Sequence, residues 1–326
     1  MSIEQLSPEE AQEMFSAQEN LATQALSVEL LCMQDNMTQA RKVLDRMPDS
    51  PERVFAAAEL EGKGGALSGA GALDIAQRLP AEEQHNVLLR LGLQYALQDK
   101  REKCGQVADA IVSPIEKLLA LRIAYECTGE GREAMHEFVG PLAERAEAHK
   151  TFIEEGGPIK LKELQITVNS CSVLRFMEAL DRIPQDQFAV QHALREAQLF
   201  VLPLQRDLAR TMHMLVVFAL MRAHQYPHVR EYIQALPDAR AQVTAWLYLF
   251  RNQHEAHDLE LARLAAAKVP QPSAHLEALG EILKTTYRHA DLQPEQELTA
   301  IEACAASLPA THHAHKLAQG YLLLKE

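Results

Sequence analysis

The chain has 326 residues and a formal charge of −13, a length that suits two lobes or an elongated repeat better than one small core. No cluster of Lys and Arg relieves that acidity, which excludes a phosphate backbone as the main partner and so argues against nucleic acid. Apolar residues make up 47% and aromatics only 5%; Ala and Leu dominate and β-branched residues rarely cluster, a balance that predicts an all-α protein.

The opening MSIEQLSPEEAQEM is acidic and lacks an apolar core, so it reads as neither a secretory signal nor a membrane span. Within it, Ser7-Pro8-Glu9-Glu10 places Ser at a helix N-cap, Pro in the first turn and Glu three residues after the cap, the pattern of a capping box. A helical run then closes at DRMP with Pro48, and Ser50-Pro51 starts the next one. Five glycines between Gly62 and Gly71 invite a phosphate-loop reading, but Lys63 is followed by Gly64 where that loop needs Ser or Thr. Leu67 stands where G-x-G-x-x-G needs its third glycine, so the stretch reads as a turn between two helices, the second being GALDIAQRLP.

The helix VLLRLGLQYAL follows Pro80, and Ser113-Pro114-Ile115-Glu116 repeats the capping pattern ahead of LLALRIAYE. Thr128-Gly129-Glu130-Gly131 is a turn, and Glu154-Glu155-Gly156-Gly157-Pro158 reads as a loop. Pro184 ends DRIP and Pro203 ends LFVLP. The apolar stretch Met212 to Met221 is far too short to cross a bilayer. PHVREYIQALP, ELARLAAAKVP and ELTAIEACAASLP each carry one apolar stripe and end at Pro237, Pro270 and Pro309, with VTAWLYLF and HLEALGEIL as the helices between them. THHAHKLAQGYLLLKE reads as an unpaired helix covering the final hairpin.

Spacing gives these prolines their meaning. Pro48 to Pro80 is 32 residues, Pro80 to Pro114 is 34, Pro203 to Pro237 is 34 and Pro237 to Pro270 is 33. Such a period with two helices per unit marks an α-solenoid, in which each hairpin buries its apolar face against its neighbours. The rhythm slips between Pro184 and Pro203, which divides the chain into a helical-repeat lobe over 1–155, an irregular connecting pair over 156–205 and a second repeat lobe with a capping helix over 206–326.

Leu88-x₂-Leu91-Gly92-x₂-Tyr95 resembles the first helix of a tetratricopeptide repeat, with Leu in place of Trp. Leu121-x₃-Tyr125, Ala134-x₃-Phe138 and the trio Phe176, Ala179 and Pro184 resemble other parts of that signature, although no unit carries all of it. The resemblance implies a right-handed α-solenoid whose first helices line an inner groove. Carried over by register, it implies partner contacts at Asn86, Leu89 and Leu93 in one unit and at Glu116, Leu119 and Ile123 in the next, with the apolar members equally able to serve as core. Trp246, the only tryptophan, suits a packed helix better than a partner anchor.

Chemistry-bearing patterns are sparse. His254-Glu255-Ala256-His257 is one residue short of the H-E-x-x-H zinc motif. His312, His313 and His315 read as a surface cluster, and nothing orients His213, His224 and His228. Five scattered cysteines without a C-x-x-C pair read as buried thiols in a reducing compartment, hence cytoplasmic. The sequence therefore predicts no cofactor, no metal, no catalytic residue and no membrane insertion. The expected role is a non-catalytic scaffold that binds a peptide or helix of another protein, as an adaptor, chaperone or assembly factor. The alternatives are a structural subunit of a stable complex and, third, an enzyme or small-ligand sensor with a pocket between lobes.

Overall fold

The computed structural model describes residues 8–64, 71–155, 161–183, 206–289, 292–309 and 312–325. Among them are sixteen α-helices, one short 3-10 turn and no strand, so the fold is all-α, and none of these helices is long and apolar enough to cross a membrane. Two compact units emerge, one of Met1–Leu79 with Pro237–Glu326 and one of Pro80–Leu236.

The first unit holds α1 (Pro8–Met33), α2 (Met37–Leu44), α3 (Pro51–Gly62) and α4 (Ala72–Gln77) from early in the chain. Much later come α12 (Ala239–Gln253), α13 (Ala256–Ala266), α14 (Pro272–Arg288), α15 (Glu295–Ala306) and α16 (His313–Leu322). The second unit holds α5 (Ala81–Leu97), α6 (Arg101–Ala110), α7 (Pro114–Thr128), α8 (Arg132–Glu154), α9 (Leu161–Arg182), α10 (Arg206–Arg222) and α11 (Tyr226–Ala235).

Proline punctuates these helices as its chemistry requires. It cannot continue a helix interior but loses nothing in the first turn, where its missing N–H has no partner to miss. Pro51, Pro114 and Pro272 each open a helix, and Pro80 is the residue just before α5. Ser50 caps α3, its hydroxyl oxygen accepting from the Arg53 amide at 3.2 Å. Ser113 differs from the expected capping box: its hydroxyl donates to the Glu116 carboxylate instead of accepting from the backbone. Pro141 lies inside α8, an exception the punctuation pattern does not anticipate. Ser7, Pro184, Pro203, the stretch Gly156-Gly157-Pro158 and most of the glycine run lie outside the described residues, while the flanks of that run are the helices α3 and α4.

One connection recurs with the same atoms. After α1, α5 and α10 the chain takes a single left-handed residue, Asp35, Asp99 or His224, at φ of 55°, 57° and 56°. The next residue, Asn36, Lys100 or Gln225, is the N-cap of the following helix. In each case that N-cap amide reaches back five residues, to the carbonyls of Leu31 (2.8 Å), Tyr95 (2.8 Å) and Leu220 (3.0 Å). The left-handed residue's own amide reaches back three, to Cys32, Ala96 and Met221. This is a Schellman ending shared by three helices, and it turns the chain into the next helix within two residues. Gly129 after α7 and His254 after α12 use the simpler form, with one amide bond reaching back four residues to Tyr125 and Phe250.

Packing follows from these turns. In the first unit α12 lies against α13 and α14, and α15 lies against α14 and α16. The same arrangement relates α1, α2 and α3. The last helix does not cover the final hairpin alone: α16 also packs on α1, so α12, α14, α1 and α3 stand in a row across sequence-distant segments. Two glycines permit the close approach. A Cβ on Gly280 of α14 would fall 2.2 Å from the Tyr321 hydroxyl, and one on Gly320 of α16 would fall 3.0 Å from Leu26 of α1. In the second unit α5, α6 and α7 pack mutually, α8 pairs with α9, and α10 returns to α7 and α5.

Candidate functional site

The six groove residues implied by register fall on two neighbouring helices, α5 and α7. Leu89, Leu93, Leu119 and Ile123 are buried there, because both helices have neighbours on more than one side and their apolar stripes are wide. Only Asn86 and Glu116 keep partial access to solvent, each in the first two turns of its helix. Below them α7 carries a buried charge cluster. The Arg122 guanidinium contacts Glu126 at 2.6 Å and Asp181 of α9 at 2.6 Å, Arg222 of α10 contacts Glu126 at 2.9 Å, and both guanidiniums lie over the Tyr125 ring at 5.3 and 4.3 Å. Burial pushes the Glu126 carboxyl up against the downward pull of Arg122 and Arg222. Two acids and two arginines balance, so the cluster ties α7, α9 and α10 to one another.

The first unit presents a second polar constellation along its row of helices. On α14, Glu277, Glu281, Lys284 and Arg288 share one stripe at helical spacing, and Arg240, Thr244 and Arg251 form the matching stripe on α12. The two stripes interlock. Arg240 pairs with Glu277, the Thr244 hydroxyl donates to Glu281 at 3.1 Å, and Arg251 donates to the Thr285 hydroxyl at 2.7 Å. On its other side α14 reaches the early helices, Lys284 to Glu29 of α1 at 2.8 Å and Arg288 to Glu59 of α3 at 2.8 Å.

These groups are largely enclosed but keep some solvent access. Lys284 and Glu29 keep 15% and 20% of their side-chain surface, and Arg288 and Glu59 keep 28% and 12%, so none of the four is sealed from solvent. Burial pushes the Glu29 carboxyl above its ordinary value, with Lys284 pulling the other way. For Glu59 burial is outweighed by Lys284, Arg288 and Arg251, which hold it below its ordinary value. Cys32 is buried near the two carboxylates, and burial, then Glu59 and Glu29, push its thiol up to about 12, which disfavours the thiolate.

Sequence reasoning missed this row because it sought apolar contacts. Its signal was present as the stripes themselves and as partners at a common separation: Arg251 and Thr285 are 34 residues apart, as are Arg263 of α13 and Glu297 of α15. The histidines serve turns, caps and single hydrogen bonds. His254 is the left-handed residue ending α12, and the His312 ring accepts from the Ala314 amide at 3.1 Å to cap α16. His315 meets the Ala305 carbonyl at 2.9 Å, His213 meets the Tyr232 hydroxyl at 2.8 Å, and His224 meets that of Tyr226 at 3.2 Å. Among the described residues no three His, Cys, Asp or Glu side chains converge as a metal site would require. Trp246 is packed in the core. No family model matches the chain, and no curated protein or solved structure matches it either.

Proposed function

We propose that the chain is a non-catalytic, tetratricopeptide-like helical scaffold that holds a peptide or helix of a partner protein against the polar face of its first helices. The observation that carries this reading is the row of enclosed but solvent-reachable charges on α12, α14, α1 and α3, where an incoming backbone or side chain finds donors and acceptors already held in place. The recurrent Schellman turn and the pairing of residues 34 positions apart support stacked hairpins of solenoid type. Five unpaired cysteines suit a cytoplasmic setting for such a scaffold.

The test is a comparison of variants, not a capture alone. Protein bearing Asn86→Ala with Glu116→Ala, and separately Arg240→Ala with Glu277→Ala, is used to recover partners from the native cell, with helicity checked by circular dichroism. All four positions retain solvent access, so the fold should survive. Loss of a wild-type partner from either variant, with roughly tenfold weaker affinity on titration of the purified pair, supports docking on the corresponding face. Unchanged recovery and affinity in both variants would remove the first-helix face as the docking surface.

A further inference from the structure

The polar row on α12 and α14 is not uniformly paired. Arg240 meets Glu277, Lys284 meets Glu29 and Arg288 meets Glu59, so three of its cations each touch a carboxylate. Two other charges of the row have no such partner. Arg251 donates to the Thr285 hydroxyl at 2.7 Å, and the Glu281 carboxylate accepts from the Thr244 hydroxyl at 3.1 Å. Among the described residues neither ion has an oppositely charged side chain in contact.

The hydroxyls hold these ions in place without neutralising them. Thr285 is buried, and its hydroxyl accepts from Arg251 while donating at 3.0 Å to the Glu281 carbonyl of its own helix. That bond steadies the guanidinium and leaves most of its N–H donors uncommitted. Arg251 and Glu281 are both half-buried, so solvent reaches them but screens them only in part. Burial pulls the Arg251 guanidinium below its ordinary pKa, and the positive charge of Arg288 adds to that. An ion so placed gains more from a charged partner than one on an open surface does. Glu281 and Thr285, which mark the two ions on α14, lie one turn apart, about 6 Å along the axis. A second helix laid along α14 repeats that spacing with side chains four residues apart.

We propose that Arg251 and Glu281 read a pair of opposite charges on the partner: a helix carrying one acidic and one basic side chain, one turn apart, sets its acid on Arg251 and its base on Glu281. The inference rests on the scaffold reading of this face and names the chemistry of the segment that docks there. Opposite signs side by side select a matched pair and also reject a segment of one charge, because a like charge on either site is repelled.

The probes are N-acetylated, alanine-rich peptides of about 17 residues, long enough for appreciable helix. Each carries one Glu and one Lys four residues apart, in either order, and matched peptides have Gln in place of either or both charges. Fluorescence anisotropy of the labelled peptides against the full-length protein reads affinity. One order should bind about tenfold more tightly than its counterpart with Gln at both positions. Arg251→Gln should remove the advantage given by the peptide's Glu and not that given by its Lys, and Glu281→Gln the reverse, a matching that double-mutant cycles read directly. Arg251→Lys keeps the charge and should keep most of the affinity, which a merely structural role for the bond to Thr285 would not predict. Absence of binding by every peptide, equal affinity of charged and Gln peptides, or losses that do not track the matching peptide charge each overturn the inference. The scaffold reading would then still be decided by partner recovery with the variants of Asn86, Glu116, Arg240 and Glu277.

Discussion

Lys284 faces two carboxylates at once, Glu29 in direct contact and Glu59 close enough for its charge to be felt. Replacing it by Met keeps the side-chain volume but leaves both acids without their shared cation, so Lys284→Met should lower stability by about 2 kcal/mol at neutral pH, read from urea unfolding. Glu29 predicts a pH effect of definite sign. Its folded pKa lies above the unfolded one because burial disfavours the charge. Between those values the native state holds a proton that the unfolded chain has released, so this group makes stability fall as pH rises through the window. Glu29→Gln should flatten that fall in unfolding midpoints measured from the ordinary carboxylate range upward, while Glu59 continues to neutralise Lys284. Glu59 acts in the opposite sense: held below its ordinary value, it contributes stability that is lost as the solution is acidified through its folded pKa. None of this was readable from single residues. Glu277, Glu281, Lys284 and Arg288 look like any solvated helix face in sequence, and only the neighbouring helices turn them into a paired row. Leu89 and Ile123 show the same gap from the other side, since their stripe is plain but which neighbour covers it is not.

Helices and their joints were far more legible. Pro80, Pro114, Pro237, Pro270 and Pro309 stand within a few residues of helix ends, because the chemistry that bars proline from a helix interior is local. The Gly129 turn was legible for the same reason, since glycine advertises a left-handed residue. The matching turns at Asp35, Asp99 and His224 escaped notice because they use residues that merely tolerate that conformation. Tolerance has a measurable cost. Asp99→Gly, at a site whose side chain otherwise pairs only with the neighbouring exposed Arg101, should raise stability by roughly 0.5–1 kcal/mol, and Asp99→Val should lower it by about 1–2 kcal/mol. Thermal denaturation of the pair reads both, and a Gly variant no more stable than wild type would show that the left-handed turn is not under strain. The capping pattern gave a mixed outcome for an equally local reason: Ser50 reaches a backbone amide, whereas the Ser113 hydroxyl has an acceptor nearer to hand in Glu116.

At the scale of the molecule, periodicity had least to say, because a repeat length describes neighbours in sequence and the first unit joins segments from opposite parts of the chain. The contact of α16 with α1 is made through Gly320 and Leu26, and that of α16 with α14 through Tyr321 and Gly280. A methyl group on Gly280 has no room beside the buried Tyr321 ring, so Gly280→Ala should cost about 2 kcal/mol. Its signature is spatial: hydrogen exchange should quicken in α16 and also in α1, which adjoin in space and not in sequence. Faster exchange confined to α14 would show that α16 does not brace the early helices. The division of the chain has a further consequence for biosynthesis. A ribosome delivers α1 to α4 well before α14 and α16, whose surfaces pack against these early helices. The segment Pro80–Leu236 can therefore complete its contacts during translation, while α1 to α4 must wait, with apolar faces open to chaperones, until α14 and α16 emerge.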